Sequence, residues 1–446
     1  MKVSPSPRNS FVLKVLLSTV ALIGFGLGQT AIAQTAQPAD SAPDGSSAGP
    51  EATMPAQDIH QLVNFLDSDN SDAPSNITVN PPGGFPNVNS VVNFSGSFIG
   101  PDGAGGTKSF PFTMMGNDPL SGHVSSIPTK IVAVDLILLN QDGSVAANVP
   151  VGSFLPLLLA SPNFNRADYT VGHVQFADAV QRAEFFNHMK DSWHTNLEPV
   201  SVVEHVTVTV PFTVNVRINR VVQPARTWFT RTATDGSTVV FMLQAFFNQQ
   251  FSNIGVNAIN AGDWTTDAMN IEFFPNTFLF NPSATPLVTR GSCCVLGFHT
   301  FFSDSSVTPE PVWVSAYASW TSPGTFTNAE ILDILPLSHE ISESFNDPFL
   351  NNITPVWQFP GEPGACQGNL ETGDPVEVTA DLAFPVTLKV PKAPGTKGEN
   401  DVRFIFHPQT EALVQWFTQT APSDAFQGAF SYPGVNVLTG PALPCQ

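Results

Sequence analysis

His339, Glu340, Glu343 and Asp347 stand in one short segment, Ser338-His-Glu-Ile-Ser-Glu-Ser-Phe-Asn-Asp-Pro348, the densest collection of metal-ligating side chains in the sequence. On an α-helix, residues four apart stack on one face. His339, Glu343 and Asp347 would then project together while Leu337, Ile341 and Phe345 turn toward a core. An imidazole and a carboxylate one turn apart have Cβ atoms about 6 Å apart, so both can reach one ion at about 2 Å. Such a face suits a divalent cation, zinc above all.

In a His-Glu-x-x-His helix, two imidazoles bind zinc and the intervening Glu activates a bound water; here the second imidazole is replaced by Glu343, which can ligate through oxygen. His339 and Glu343 are the expected ligands, and Glu340 the expected general base acting on a water whose pKa the metal brings toward about 7. A third ligand is required. Asp347, on the same face, is the first choice. Asp374 competes as a ligand or as the group orienting His339, and His299 and His407 are further candidates from other segments. The bland alternative is a solvated face of a surface helix, with Asp347 satisfying a turn. Paired carboxylates would also serve a sugar hydrolase, but their separation cannot be read from sequence.

The elements that must position this segment are strand-rich. Ile131 to Leu139 reads as a buried strand ending at the turn Asn140-Gln-Asp-Gly143. Val206 to Ile218 alternates apolar and polar residues, as one long half-buried strand or two joined by a bend at Pro211. Gln175 to Met189 is spaced as a helix; His188 and His194 near its end suit surface or capping positions better than metal ligation. A strand follows around Ile271 to Phe280. Cys293 to His299 and Pro311 to Trp320 then read as two paired strands leading into the metal-site helix. Thr327 or Asn328 can cap that helix, Pro336 forces a kink or fresh start, and Pro348 ends it. A last amphipathic helix is expected over Pro408 to Phe417.

At the start, Lys2, Arg8 and Lys14 flank or precede an apolar stretch from Val15 to Gly28, followed by Ala31-Ile32-Ala33, so residues 1–33 read as a cleaved secretory signal. No later run is long and apolar enough to span a bilayer. Residues 34 to about 57 have linker composition. Gly45-Ser-Ser-Ala-Gly49 within them lacks the strand and helix of a serine-hydrolase elbow. Asp67 to Asp72 reads as a solvated acidic loop rather than a calcium loop. With 17 basic and 37 acidic residues, the chain has a net charge of −20, which excludes nucleic acid as an expected partner. Four cysteines, Cys293, Cys294, Cys366 and Cys445, suit two bridges in an oxidising compartment, and paired spacing for a cysteine metal site is missing. Neighbouring cysteines close an awkward ring, so one of Cys293 and Cys294 is expected to pair with Cys366.

Four blocks carry a resemblance: Cys294-Val-Leu-Gly-Phe-His299, the segment Ser338 to Pro348, Cys366-Gln-Gly-Asn-Leu-Glu-Thr-Gly-Asp374, and His407-Pro-Gln-Thr-Glu-Ala-Leu-Val-Gln-Trp-Phe417. Together they are similar to secreted bacterial proteins related to the plant phosphate-induced protein 1, or Exordium-like, family. The chain departs from the plant pattern in having no Cys directly after Gly373-Asp374, the nearby cysteine being Cys366. The resemblance implies a zincin-like fold and an extracellular protein, with a non-catalytic role open. The expected fold class is α/β (α+β), zincin-like, a strand-rich body with a metal-site helix and a C-terminal helix. Residues 34–85 would be linker and N-terminal extension, and 86–446 one domain with a β-rich first half (86–290) and a metal-site half (291–446). The expected function is a secreted or periplasmic zinc-dependent hydrolase, peptidase-like and acting on an extracellular peptide or protein, free of the membrane after signal removal. The competing function is a non-catalytic extracellular binding or matrix protein on the same scaffold.

Overall fold

The computed structural model describes residues 14–15 and 88–445, apart from 219–220, 282–291, 327, 362, 378, 380, 393–400, 421 and 423. The signal, linker and Asp67–Asp72 readings lie outside the described residues, except that Lys14 and Val15 pair antiparallel with Ser303 and Phe302. Among the described residues, no helix is long and apolar enough to cross a membrane.

In chain order, the elements that frame the site are β1 (Asn93–Pro101), β2 (Thr107–Met115), β3 (Val124–Leu139), β4 (Val145–Val149), α1 (Phe176–Glu184) and β5 (His194–Val210). They continue as α2 (Gln244–Ala261), β6 (Met269–Pro275), β7 (Gly297–Ser303), β8 (Glu310–Trp320), α3 (Leu335–Asn346), β9 (Ile353–Gln358), β10 (Cys366–Asn369) and α4 (Val414–Phe417). The principal sheet has the order β7-β8-β6-β3-β5. Strands β8, β6, β3 and β5 run parallel, and β7 is antiparallel to β8. Parallel neighbours need long crossovers; α1 lies in the connection from β3 to β5 and α2 in that from β5 to β6. A mixed α/β, strand-rich body results.

Both sheet faces are covered, which is why the central strands are apolar on both sides. On one face, Leu337, Ile341 and Phe345 of α3 join Ile271, Phe273, Ala316 and Ala318 in a single apolar cluster. On the other, Phe247 and Phe251 of α2 pack on Phe274, Phe298 and Tyr317. The apolar residues of α3 are therefore anchored on the sheet, leaving its polar residues to meet other loops.

Several expected elements are present with altered limits. The strand expected at Ile131 begins earlier, at Val124, and ends at the expected turn, where the Gly143 N–H donates to the Asn140 carbonyl. The alternating run breaks at Pro211, the second of the two readings, giving the end of β5 and a separate strand Thr213–Ile218. The strand expected at Ile271 to Phe280 is split at Asn276, whose φ of 39° turns the chain out of the principal sheet. The segment after Asn328 stays in turns, and α3 makes a fresh start with Pro336 in its first turn, where the missing N–H has no intrahelical partner to lose. The last helix is only Val414–Phe417. Glu411 and Ala412 pair instead with Tyr432 and Ser431, and the Ala412 N–H donates to the Thr372 carbonyl at 2.7 Å, so long-range pairing overrides helical spacing.

The disulfide expectation is corrected: Cys366 pairs with Cys445, at a Cα separation of 5.8 Å, and not with Cys293 or Cys294. Register explains it. The β9–β10 hairpin sets Cys366 opposite Gln358, whose N–H donates to Leu443, so the C-terminal segment runs beside the hairpin.

Candidate metal centre

Helix α3 is buried along its whole length, and His339, Glu340 and Glu343 each have no exposed surface. The solvated-face reading is thereby excluded. The polar face is covered by β7, which brings His299, and by the loop after β10, which brings Glu371, Gly373, Asp374 and Glu377. Strand β7 reaches the helix because it pairs along β8 with His299 opposite Ala316, on the face where α3 packs.

Glu343 is the hub. Its Oε2 lies 3.1 Å from His339 Nε2 and 3.3 Å from His299 Nδ1, while its Oε1 accepts the Gly373 N–H at 2.9 Å. Around it, His339 Nε2 stands 4.0 Å from Asp374 Oδ1, His339 Nδ1 3.6 Å from Glu377 Oε1, and His299 Nε2 3.7 Å from Glu371 Oε2. Glu340 Oε2 is 3.8 Å from His299 Nδ1. Donor atoms come together in three overlapping groups: His299 with Glu343 and Glu371, His339 with Glu340 and Glu343, and His339 with Asp374 and Glu377. A tetrahedral ion with bonds of about 2.0–2.1 Å separates its ligand atoms by about 3.3 Å. The spacing of each imidazole from Glu343 fits that edge length, with the two imidazoles in different groups, and nitrogen with carboxylate oxygen is a donor set zinc accepts.

Two glycines form the cradle. A Cβ on Gly373 would collide with the His339 ring, and one on Gly297 with the Glu340 carboxyl. The backbone of Gly373 is ordinary right-handed helical, with φ −80° and ψ −38°, so the need for glycine there is one of space. Gly373→Ala is accordingly expected to weaken zinc binding by about 10–100-fold by displacing His339. Zinc titration of the refolded variant checks this, with Gly368→Ala as the control, since the nearest atom to its new Cβ is 3.8 Å away.

The electrostatics are those of a closed carboxyl cluster. Burial, with neighbouring acids adding to it, pushes Asp374 and Glu377 well above the usual carboxylate range, and Glu411 moves the same way. Burial also lifts Glu340, to about 7. For Glu343, burial works against the charge, but the His339 and His299 imidazoles prevail and hold it well below its ordinary value. For His339, burial again opposes the charge, and the carboxylates of Glu343 and Glu340 win, raising it well above its ordinary value. Both Glu377 oxygens and Asp374 Oδ2 are buried without a hydrogen-bond partner. Such a cluster demands protons or a bound cation.

Of the sequence candidates, His339, Glu340, Glu343 and Asp374 converge, and His299 joins them. Asp347 is directed elsewhere: it caps α3, and its carboxylate accepts the N–H groups of Asn351 at 2.9 Å and Asn352 at 3.1 Å. His407 binds Asp333 at 2.7 Å, and His194 binds Asp178 at 2.7 Å. Glu371, Glu377 and Glu411 were not singled out from sequence; Glu371 and Glu411 lie inside two of the four resemblance blocks, which was the available signal. No protein-family model matches the chain, and no curated protein or solved structure is significantly similar to it.

Proposed function

We propose that the protein is a secreted zinc-dependent hydrolase, peptidase-like, on a zincin-like scaffold. The observation that carries this is Glu343 Oε2 lying within 3.3 Å of two imidazole nitrogens, His299 Nδ1 and His339 Nε2, with Glu340 one residue along the same helix. His299, His339 and Glu343 would hold the ion, with Asp374 beside them. When bound, zinc supplies Lewis acidity to a carbonyl and lowers the pKa of a coordinated water to about 7. Glu377, 3.6 Å from His339 Nδ1, favours a proton on that nitrogen and so leaves Nε2 free to ligate. Glu340 would accept the proton of the attacking water and pass it to the leaving group. The four resemblance blocks support the reading, since they supply His299, the helix, Asp374 and Glu411.

One observation favours the second reading, a non-catalytic extracellular binding or matrix protein: the whole of α3, Glu340 included, is buried. Metal analysis of the purified protein, with hydrolysis of a casein peptide digest followed before chelation, after it and after zinc is restored, separates the two. Stoichiometric zinc with chelator-sensitive, zinc-restored hydrolysis is expected. Zinc without hydrolysis would leave only the scaffold reading. A protein without bound zinc at neutral pH would overturn the metal centre itself.

A further inference from the structure

A cleft of about 560 Å³ opens between the β1–β2 hairpin, the end of α1 and the segment around α4. Its walls include Phe94, Phe98, Phe112 and Phe185. Phe98 stacks on Phe112 with centroids 6.2 Å apart, and Phe185 meets Phe94 edge-on at 5.8 Å. Glu184, the last residue of α1, also lines it, with no exposed surface. One Glu184 oxygen, Oε1, accepts the Val414 N–H at 3.2 Å; the other, Oε2, is buried without a hydrogen-bond partner. Asp118, Asp424 and His188 complete the titratable lining, and no lysine or arginine is among the described residues that form it.

We propose that this cleft binds an organic cation, its ammonium head against Glu184 Oε2 and its apolar body between the phenylalanine rings. Phenyl faces attract a cation through their quadrupole, and a charge-assisted hydrogen bond would satisfy Glu184 Oε2, which the fold leaves without a partner. A purely apolar ligand would keep Oε2 buried and unpaired, and an anion would face three acidic side chains. The volume falls within the range of small-molecule sites. Burial pushes Glu184 up to about 8, so an entering cation displaces a proton and binds more tightly as pH rises through that value. Asp118, His188 and Asp424 are the other titratable groups facing the cleft.

Titration calorimetry with phenethylammonium, neutral 2-phenylethanol and anionic 3-phenylpropionate at about pH 8 tests the assignment. Phenethylammonium should bind at least about tenfold more tightly than the other two. Glu184→Gln, which keeps an acceptor for Val414, should remove that preference, and Phe98→Ala, at the half-buried wall, should weaken the cation independently. A lysine-containing tetrapeptide run in parallel distinguishes a peptide side chain from a free amine as the source of the cation. Equal binding of 2-phenylethanol, an unchanged preference in Glu184→Gln, or no saturable binding of either cation up to about 10 mM would overturn the proposal. None of these outcomes depends on the metal centre.

Discussion

Replacing His299 with alanine is expected to strip the protein of its metal, while replacing Glu340 with glutamine keeps the metal and abolishes hydrolysis. The two residues lie 3.8 Å apart, yet their positions assign them different work. His299 Nδ1 shares Glu343 Oε2 with His339, so its loss removes one of the three donors proposed above. Zinc bound by such a set is held by about 10–16 kcal/mol, and a third of that is on the order of 4 kcal/mol, or roughly 10³-fold in affinity. Glutamine at 340 fills the same space below Gly297 and removes a charge that repels Glu343, so metal affinity should hold. What it cannot do is accept a proton, which costs about 10²–10⁴-fold in rate. Metal content by plasma emission and turnover of a peptide digest, measured on folded protein, report the two effects separately. Full metal in His299→Ala would transfer the third-ligand role to Asp374.

The parts of this centre that were legible in the sequence are those set by local geometry. His339 and Glu343 are one helical turn apart, and the turn places them together in any helix that forms. The role of His299 was open because it depends on the register of β7 along β8, a pairing between residues that sequence periodicity cannot align. Asp347 was misplaced for the opposite reason: spacing put it on the ligand face, but the helix stops before Pro348, and an aspartate at that point finds the free N–H groups of Asn351 and Asn352 first. Burial of the polar face was not legible either. A helix with one apolar and one polar side ordinarily turns the polar side to water. Here Glu371, Asp374, Glu377 and Glu411 arrive from two distant segments and cover it, and only Asp374 among them was singled out. The same dependence on distant pairing misdirected the disulfide, since Cys366 faces the C-terminal segment through the β9–β10 register.

In the metal-free protein, stability is expected to fall as pH rises from about 5 to about 8, and bound zinc is expected to reverse that slope. A carboxyl whose pKa rises on folding holds its proton more tightly in the native state than in the unfolded one. Its contribution is complete below the unfolded pKa and is lost as pH climbs through the folded value. Burial moves Glu184 from 4.5 to about 8, Asp347 from 3.8 to about 7 and Glu340 from 4.5 to about 7. Asp374, Glu377 and Glu411 shift in the same direction, as does His339, whose stabilising proton is likewise lost at higher pH. Glu343 runs the other way: its pKa is lowered, so its contribution is present above 4.5 and fades only on acidification below the window. Between about pH 5 and about pH 8 the loss is on the order of 4 kcal/mol for Glu184 and on the order of 3 kcal/mol for Asp347, so chelated protein should melt on the order of 10 °C lower at about pH 8 than at about pH 5. Zinc ligation requires His339 Nε2, His299 and Glu343 without their protons, so binding releases protons and its stabilisation grows with pH. Melting curves of chelated and zinc-loaded protein across this range should therefore diverge toward alkaline pH, with the loaded form gaining. A chelated protein whose Tm rises steadily from pH 5 to pH 8 would mean that these carboxyls are ionised and hydrated in the native state, and a centre open to water in that way could not be the closed cluster around Glu343.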